Sequence, residues 1–175
     1  VVALVAPHVR NSGVIRAHLG KVALASGTAY TIDLTGDRLI NFALHPEIEQ
    51  VVLDSQGQPV KALIENTGQI ITHGGKVLLT ARAAEGVVNN VIDMGGVIEA
   101  NTMEARQGEI ILSGGEHGTT QVSGRMSAQG LEPGESGGTI KVLGDHVKLV
   151  AGAELNASAI EHGGFIETSG KRVDV

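Results

Sequence analysis

Histidines are the first residues of this sequence that can do chemistry, because the 175-residue chain has seven of them and no cysteine. His18 and His73 follow the same nine-residue motif, so we expect them to project from the same edge of the fold. No two histidines have strand spacing (i, i+2) or helix spacing (i, i+4) with a supporting carboxylate, as metal ligands usually do. The sequence therefore predicts no metal site and no cofactor.

Paired carboxylates would indicate hydrolysis of a glycosidic bond, which needs two acidic groups across the scissile bond. Glu109 and Glu167 lie on copies of one repeated motif, but other residue types stand at their positions in the other copies. No dense acidic cluster is visible, so no catalytic residue is predicted, and single charges that keep an outer face soluble are the simpler interpretation. Calcium is not indicated either, because four aspartates fail to recur at the repeat spacing: Asp33, Asp37, Asp54 and Asp93.

One modification site can be named. Asn156-Ala157-Ser158 is the single N-x-Ser/Thr sequence of the chain. Such a sequence is the acceptor for N-glycosylation on a surface, although asparagine also favours turns. Asn156 is therefore a candidate for glycosylation.

The elements that position these residues are repeated strands. A turn glycine followed by alternating apolar residues occurs at residues 20–24, 75–79, 108–112, 138–142 and 164–168. Alternation is typical of a strand with one buried face. The glycines are 55, 33, 30 and 26 residues apart. A solenoid coil of three short strands takes about 20 to 30 residues, so the last three steps each predict one coil and the first predicts a coil plus an excursion.

This pattern specifies which residues face the core. We expect one buried face made of Val22, Leu24, Val77, Leu79, Ile110, Leu112, Ile140 and Val142, and outward positions at Ala23, Leu78, Ile111 and Lys141. A second motif, with Asn or Met before a turn glycine, aligns residues 9–17, 64–72 and 92–100. It predicts a sharp turn between two further short strands.

Composition agrees with a thin core. The chain is 42% hydrophobic but only 2% aromatic, and it has 25 glycines. Small branched residues stack well between coils that lie about 4.8 Å apart. Alternating runs flank Thr35-Gly36-Asp37-Arg38, which predicts a hairpin. The sequence therefore predicts an all-β parallel β-solenoid of six coils, one segment over residues 1–175, with an antiparallel hairpin excursion at residues 30–45.

Charge and hydropathy exclude some partners. The formal net charge is −6, with lysine and arginine scattered singly, and aromatic residues for base stacking are scarce. Nucleic-acid binding is therefore not expected. No apolar run approaches the roughly 20 residues of a membrane span. The sequence opens and closes within a repeat, so we expect a piece of a longer protein whose ends are not capped.

Three blocks of the sequence resemble the repeats of filamentous haemagglutinin-type adhesins. They are GTIKVLGDHVKLVAGAELNAS (residues 138–158), GKVLLTARAA (75–84) and GGFIETSG (163–170). The resemblance implies a right-handed parallel β-helix, two-partner secretion and a place in the shaft of a fibre on the bacterial surface. It also implies an outer-membrane transporter as partner, engaged by the parent protein's N-terminal region, since the Asn-Pro-Asn-Gly-type secretion motif does not occur here.

The expected function is therefore that of a structural and adhesive segment of a large secreted adhesin, and not that of an enzyme. Its receptor cannot be inferred from a shaft. Two alternatives stay open: a delivery stalk for a C-terminal toxin, which has the same fold, and a polysaccharide-active β-helix enzyme, which needs a site that the sequence does not display.

Overall fold

A computed structural model describes residues 1–27, 30–32, 42–44 and 47–175. These residues form nineteen strands and no helix, wound into six coils. Coil 1 holds β1 (Val2–Ala6), β2 (Val9–Asn11) and β3 (Val14–Arg16). Coil 2 holds β4 (Lys21–Ser26), β5 (Tyr30–Ile32), β6 (Phe42–Leu44), β7 (Ala62–Asn66) and β8 (Gln69–Ile71). Coil 3 holds β9 (Lys76–Ala81), β10 (Asn90–Met94) and β11 (Val97–Glu99).

The later coils repeat this plan. Coil 4 holds β12 (Glu109–Ser113), β13 (Thr119–Val122) and β14 (Arg125–Ser127). Coil 5 holds β15 (Thr139–Leu143), β16 (His146–Leu149) and β17 (Glu154–Asn156), and coil 6 holds β18 (Phe165–Ser169) and β19 (Arg172–Asp174). No helix in the described residues is long and apolar enough to cross a membrane.

Three parallel sheets run along the stack of coils. Sheet A joins the first strand of every coil, sheet B the second of the three regular strands, and sheet C the third. Partner strands pair in register; for example, Ile110 lies opposite Val77 on one side and Ile140 on the other. The predicted parallel β-solenoid is confirmed.

The predicted core of sheet A is also confirmed. All eight positions are at most 1% exposed, and they stack in two columns along the sheet. Leu78, Ile111 and Lys141 on the opposite face are partly exposed, as expected. Ala23 differs: it pairs with Leu78 on the outer face, yet it is fully buried, as is Ala25. Strand alternation sets the direction of a side chain, but its burial depends on what covers that face, and the outer face of β4 is covered.

Glycine is required where the chain turns from sheet B to sheet C. A Cβ added to Gly96 would overlap the carbonyl oxygen of Gly68 in the coil beneath, and one on Gly124 would overlap that of Gly96. The backbones of consecutive coils therefore approach too closely at this corner for any side chain. This close approach accounts for the turn glycine in the second repeated motif.

The excursion in coil 2 is longer than predicted. Strands β5 and β6 pair antiparallel, which confirms the predicted hairpin, while its turn residues 35–38 lie outside the described residues. A second reversal follows, where Leu53 and Pro59 form an antiparallel bridge. Asp54 Oδ1 accepts hydrogen bonds from the backbone N–H groups of Gln56 (2.8 Å) and Gln58 (2.9 Å). Between the two reversals Ile48 is buried and pairs in parallel with Ala83 of coil 3, and the regular strands of coil 2 resume at β7.

A buried carboxylate joins the loops of two coils. Glu135 is 8% exposed. It accepts hydrogen bonds from the backbone N–H groups of Glu104 (2.8 Å), Leu131 (3.1 Å) and Glu132 (3.1 Å). These hydrogen bonds favour the ionised form of Glu135 and hold its pKa below the ordinary value. The bond from Glu132 has the largest effect. Glu135 thereby connects the loop after β11 to the loop after β14.

The outermost coils expose part of the core. Leu4, Ile166 and Val173 continue the buried columns of sheets A and B, yet they are 41%, 44% and 39% exposed. Their exposure follows from position, because each of these coils has a neighbour on one side only. The buried columns are therefore best protected in the middle coils.

Neighbouring residues on β15 test the register. Ile140→Asp places a charge among fully buried side chains, and we expect it to lower the free energy of unfolding by about 4 kcal/mol or more. Lys141→Asp changes the outer face and should have a much smaller effect. Urea unfolding followed by circular dichroism measures both. An equal loss of stability in the two variants would contradict the assigned register.

Candidate functional site

The two glutamates named from the sequence are not brought together. Glu109 and Glu167 lie on the outer face of sheet A but in different rows, two coils apart. Each meets a lysine of the preceding coil: Lys76 Nζ lies 2.7 Å from Glu109 Oε2, and Lys141 Nζ lies 3.3 Å from Glu167 Oε2. Hydrogen bonds from Ser169 and Lys141, in that order, lower the pKa of Glu167. These carboxylates serve ion pairing between coils.

The outer face of sheet B carries a continuous row of polar side chains. It contains one residue from each coil, and adjacent members are in register. We call it the polar row of sheet B: Arg10, Glu65, Asp93, Gln121, Lys148 and Asp174. Two carboxylates, Glu65 and Asp93, are direct neighbours in it. This is the placement that a carboxylate pair requires in a solenoid, and sequence analysis missed it.

A signal for this pair was present in the sequence. The alignment of residues 64–72 with 92–100 puts Glu65 and Asp93 at the same position of the second motif. A comparison of carboxylates along the first motif alone does not show this match.

Asp33, Asp37 and His45 lie outside the described residues.

The two carboxylates have different surroundings. His8 Nε2 lies 3.4 Å from Glu65 Oε1, and Arg10 Nε lies 3.8 Å from Glu65 Oε2. Asp93 has the neutral Gln121 on its other side. Burial has the largest effect on the pKa of Asp93 and raises it, and the charge of Glu65 raises it further. A hydrogen bond from Gln121 lowers this pKa by a smaller amount. Asp93 is therefore a carboxyl group whose ionisation is opposed by its surroundings.

A second polar cluster lies on the last three coils of the same face. Thr119 Oγ1 lies 3.5 Å from His146 Nδ1, and His146 Nε2 lies 2.9 Å from Asp174 Oδ2. The order of hydroxyl, imidazole and carboxylate is that of a nucleophilic triad. However, the hydroxyl contact is longer than the 2.6 to 3.2 Å expected of an activated nucleophile.

The carboxylate of this cluster also has a competing cation. Arg172 donates from Nε to Asp174 Oδ1 (3.0 Å), and its Nη2 lies 2.9 Å from Oδ2. Hydrogen bonds lower the pKa of Asp174, and the bond from Arg172 has a larger effect than the bond from His146. Arg172 and His146 therefore share the two oxygens of this carboxylate. The cluster orders the outer face and does not form an activated nucleophile.

The prominent depressions of the surface lie elsewhere. One of about 390 Å³ is lined by Pro7 and residues 47–52. Another of about 500 Å³ lies between residues 59–61 and 86–90, and a third of about 280 Å³ lies at the turn from sheet C to sheet A. None of the three is lined by Glu65, Asp93 or His146.

Two histidines meet at the turn that follows sheet C. The rings of His18 and His73 have their centroids 5.8 Å apart and are tilted by 45°. The prediction that both project from one edge is confirmed. Among the described residues, no group of three or more histidine, aspartate or glutamate side chains is arranged to hold a metal ion.

Asn156 ends β17, the last strand of sheet C. Its Oδ1 accepts a hydrogen bond from the backbone N–H of Ser158 (3.0 Å), and Ser158 Oγ accepts one from Gln129 Nε2 (3.0 Å). The sequence Asn156-Ala157-Ser158 thus forms an Asx turn at the surface. Glycosylation of Asn156 stays a prediction.

Comparisons with known proteins give no match, either to protein-family models or to characterised proteins. The resemblance to filamentous haemagglutinin-type adhesins therefore stays a prediction, and the argument for function rests on the repeats and on the geometry of the coils.

The carboxylate pair predicts an unusual pH dependence. The raised pKa of Asp93 means that its protonated form favours folding, and this contribution is lost as pH rises through that pKa. We expect Asp93→Asn to raise the free energy of unfolding at pH 7, with no gain at a pH below about 3.8, where wild-type Asp93 is protonated. Urea unfolding at both pH values measures this difference.

Glu135→Gln is the matched control, because its pKa is shifted in the opposite direction. This variant should be less stable than wild type at pH 7, with a deficit that shrinks as the pH falls below 4.5. If Asp93→Asn destabilised the protein at pH 7, the assigned repulsion between Glu65 and Asp93 would be wrong.

Proposed function

We propose that this chain is a structural and adhesive segment of a large secreted bacterial surface adhesin, in which the solenoid forms a stiff shaft. The observation that carries the proposal is the continuous parallel pairing of sheets A and B through all six coils, in register except for one shift between β10 and β13. In such a stack each coil is hydrogen-bonded to the adjacent coils, so bending the stack must strain many backbone hydrogen bonds at once. Stiffness is what a fibre that holds a receptor-binding surface away from a cell requires.

The outer faces suit display. From the first coil to the last, the stack rises about 24 Å, and side chains repeat along it about every 4.8 Å. Ion pairs between coils, such as Arg125 with Glu154 (Nε to Oε2, 2.9 Å), keep these faces charged and ordered. The surface loops and the excursion of coil 2 are the places where recognition of a receptor fits best.

The resemblance of the repeats to filamentous haemagglutinin-type adhesins supports the remaining parts of the proposal. These are two-partner secretion, extracellular location on the bacterial surface, and an outer-membrane transporter that binds the N-terminal region of the parent protein. The shaft and a toxin-delivery stalk share the fold, and no contact described above favours the stalk.

Adhesion can be measured directly. Beads coated with the purified chain should be retained on cultured epithelial cells, and soluble chain should compete. Beads coated with chain that has been unfolded in urea are the control, because they carry the same residues without the ordered faces. Retention equal for the two coatings would contradict specific adhesion by the folded coils.

A polysaccharide-active enzyme is the second candidate, and one observation favours it: Glu65 and Asp93 are direct neighbours on one face, with His8 and Arg10 beside Glu65. Glycoside cleavage uses two carboxyl groups, one of which acts as a general acid, and burial together with the charge of Glu65 raises the pKa of Asp93. None of the three depressions described above is lined by Glu65 or Asp93, which is why we place this candidate second.

The two candidates predict different outcomes in one assay. Incubation of the chain with neutral and uronic-acid polysaccharides, followed by measurement of new reducing ends, should give nothing above background. Cleavage that disappears in both Glu65→Gln and Asp93→Asn would establish the enzyme and replace the structural proposal.

A further inference from the structure

We propose that His18 and His73 form a two-histidine site for a divalent transition-metal ion, and that the ion links coil 1 to coil 2. The proposal goes beyond the function of a shaft, and it departs from the sequence-based expectation that the chain has no metal site. It rests on the placement of the two rings, which the stacking of coils decides.

The backbone holds the two histidines opposite each other. Each follows a strand of sheet C by two residues, and hydrogen bonds lie on both sides of the pair. Ala17 N–H donates to Ile71 O (2.9 Å), and Leu19 N–H donates to His73 O (3.0 Å). The spacing between His18 and His73 is therefore set by the pairing of coils and not by chance contact of two flexible side chains.

The ring geometry is close to that of a ligand pair. Two imidazoles bound to one tetrahedral ion at usual metal–nitrogen distances have ring centroids about 5 Å apart. The observed separation is 5.8 Å with a tilt of 45°.

His73 also has a nitrogen without a partner. Its Nδ1 is buried and makes no hydrogen bond. An unpaired buried nitrogen is unfavourable, and a metal ion bound at Nδ1 would give it a partner. A bound metal ion would therefore satisfy the one buried nitrogen of His73 that has no hydrogen-bond partner.

The surroundings indicate which ions fit. The nearby depression at the turn is lined by Lys21, Lys76 and Arg106, and of these Lys76 is paired with Glu109. Positive neighbours disfavour an ion that is held by charge alone. Neutral imidazole donors favour Cu²⁺ and Ni²⁺, then Zn²⁺, over Mg²⁺ and Ca²⁺, which prefer oxygen. With two protein ligands, water completes the coordination.

The position of the metal ion between coils 1 and 2 determines which part of the chain it stabilises. His18 and His73 are 55 residues apart, and the chain between them contains the whole excursion of coil 2. A metal ion shared by the two rings closes this loop in the folded state only. Because the ion binds the folded chain in preference to the unfolded one, it should stabilise the coil that carries the long insertion.

Thermal unfolding of the untagged chain with Ni²⁺ tests the proposal. At pH 7.5 and saturating Ni²⁺ we expect Tm to rise by about 5 °C, with one ion bound, whereas Mg²⁺ should not change Tm. His18→Ala and His73→Ala should each abolish the rise. His117→Ala and His162→Ala are the matched controls, since these histidines lie elsewhere on the surface, and both should keep it.

Electron paramagnetic resonance of the Cu²⁺-loaded wild type gives a readout that needs no variant to fold. The proposal expects hyperfine coupling to two imidazole nitrogens at one copper per chain. A spectrum with one nitrogen, or a Ni²⁺-dependent rise in Tm that persists in His18→Ala, overturns it.

Discussion

The structure depends on one constraint, the parallel, in-register pairing of each coil with the next. It places every residue directly against its counterpart one coil away, about 4.8 Å distant. Side chains of one kind must therefore stack well on themselves. Val, Ile and Leu do so in the buried columns of sheet A, and glycine does so at the corner where Gly68, Gly96 and Gly124 bring backbones into contact. The scarcity of aromatic residues follows from the thin core that this stacking encloses.

The same constraint governs charge on the outer faces. A charged residue in one coil needs an opposite or neutral residue in the next, and Lys76 with Glu109 and Lys141 with Glu167 satisfy this rule. Lys21 with Lys76 and Glu65 with Asp93 break it, and the charge of Glu65 adds to the effect of burial in raising the pKa of Asp93. Such a break is a reason to look for function, because neighbouring like charges are retained against a cost in stability.

Stacking also extends to polar residues inside the fold. Asn11 Nδ2 donates to Asn66 Oδ1 (2.7 Å), and Asn66 Nδ2 continues the ladder to Met94 Sδ (3.2 Å), a weak acceptor. The ladder ends where methionine replaces asparagine in the motif. A shaft built by repetition thus tolerates a few departures from the repeat, and these departures (Met94, the excursion of coil 2, the two histidines) are where its individual properties arise.

The sequence alone determined the repeating parts of this protein. Alternation within five residues identified the buried columns, the turn glycines identified the coils, and the hairpin signal identified the pairing of β5 with β6, because each of these depends on neighbours in the chain. Tertiary structure decided what lies beside what. The burial of Ala23, the bridge between Leu53 and Pro59, and the pairs formed by Glu65 with Asp93 and by His18 with His73 all depend on contacts that local periodicity does not specify. The physical reason is that coils vary from about 20 to 55 residues in this chain, so the outward side chains that become neighbours are known only once the coils are stacked.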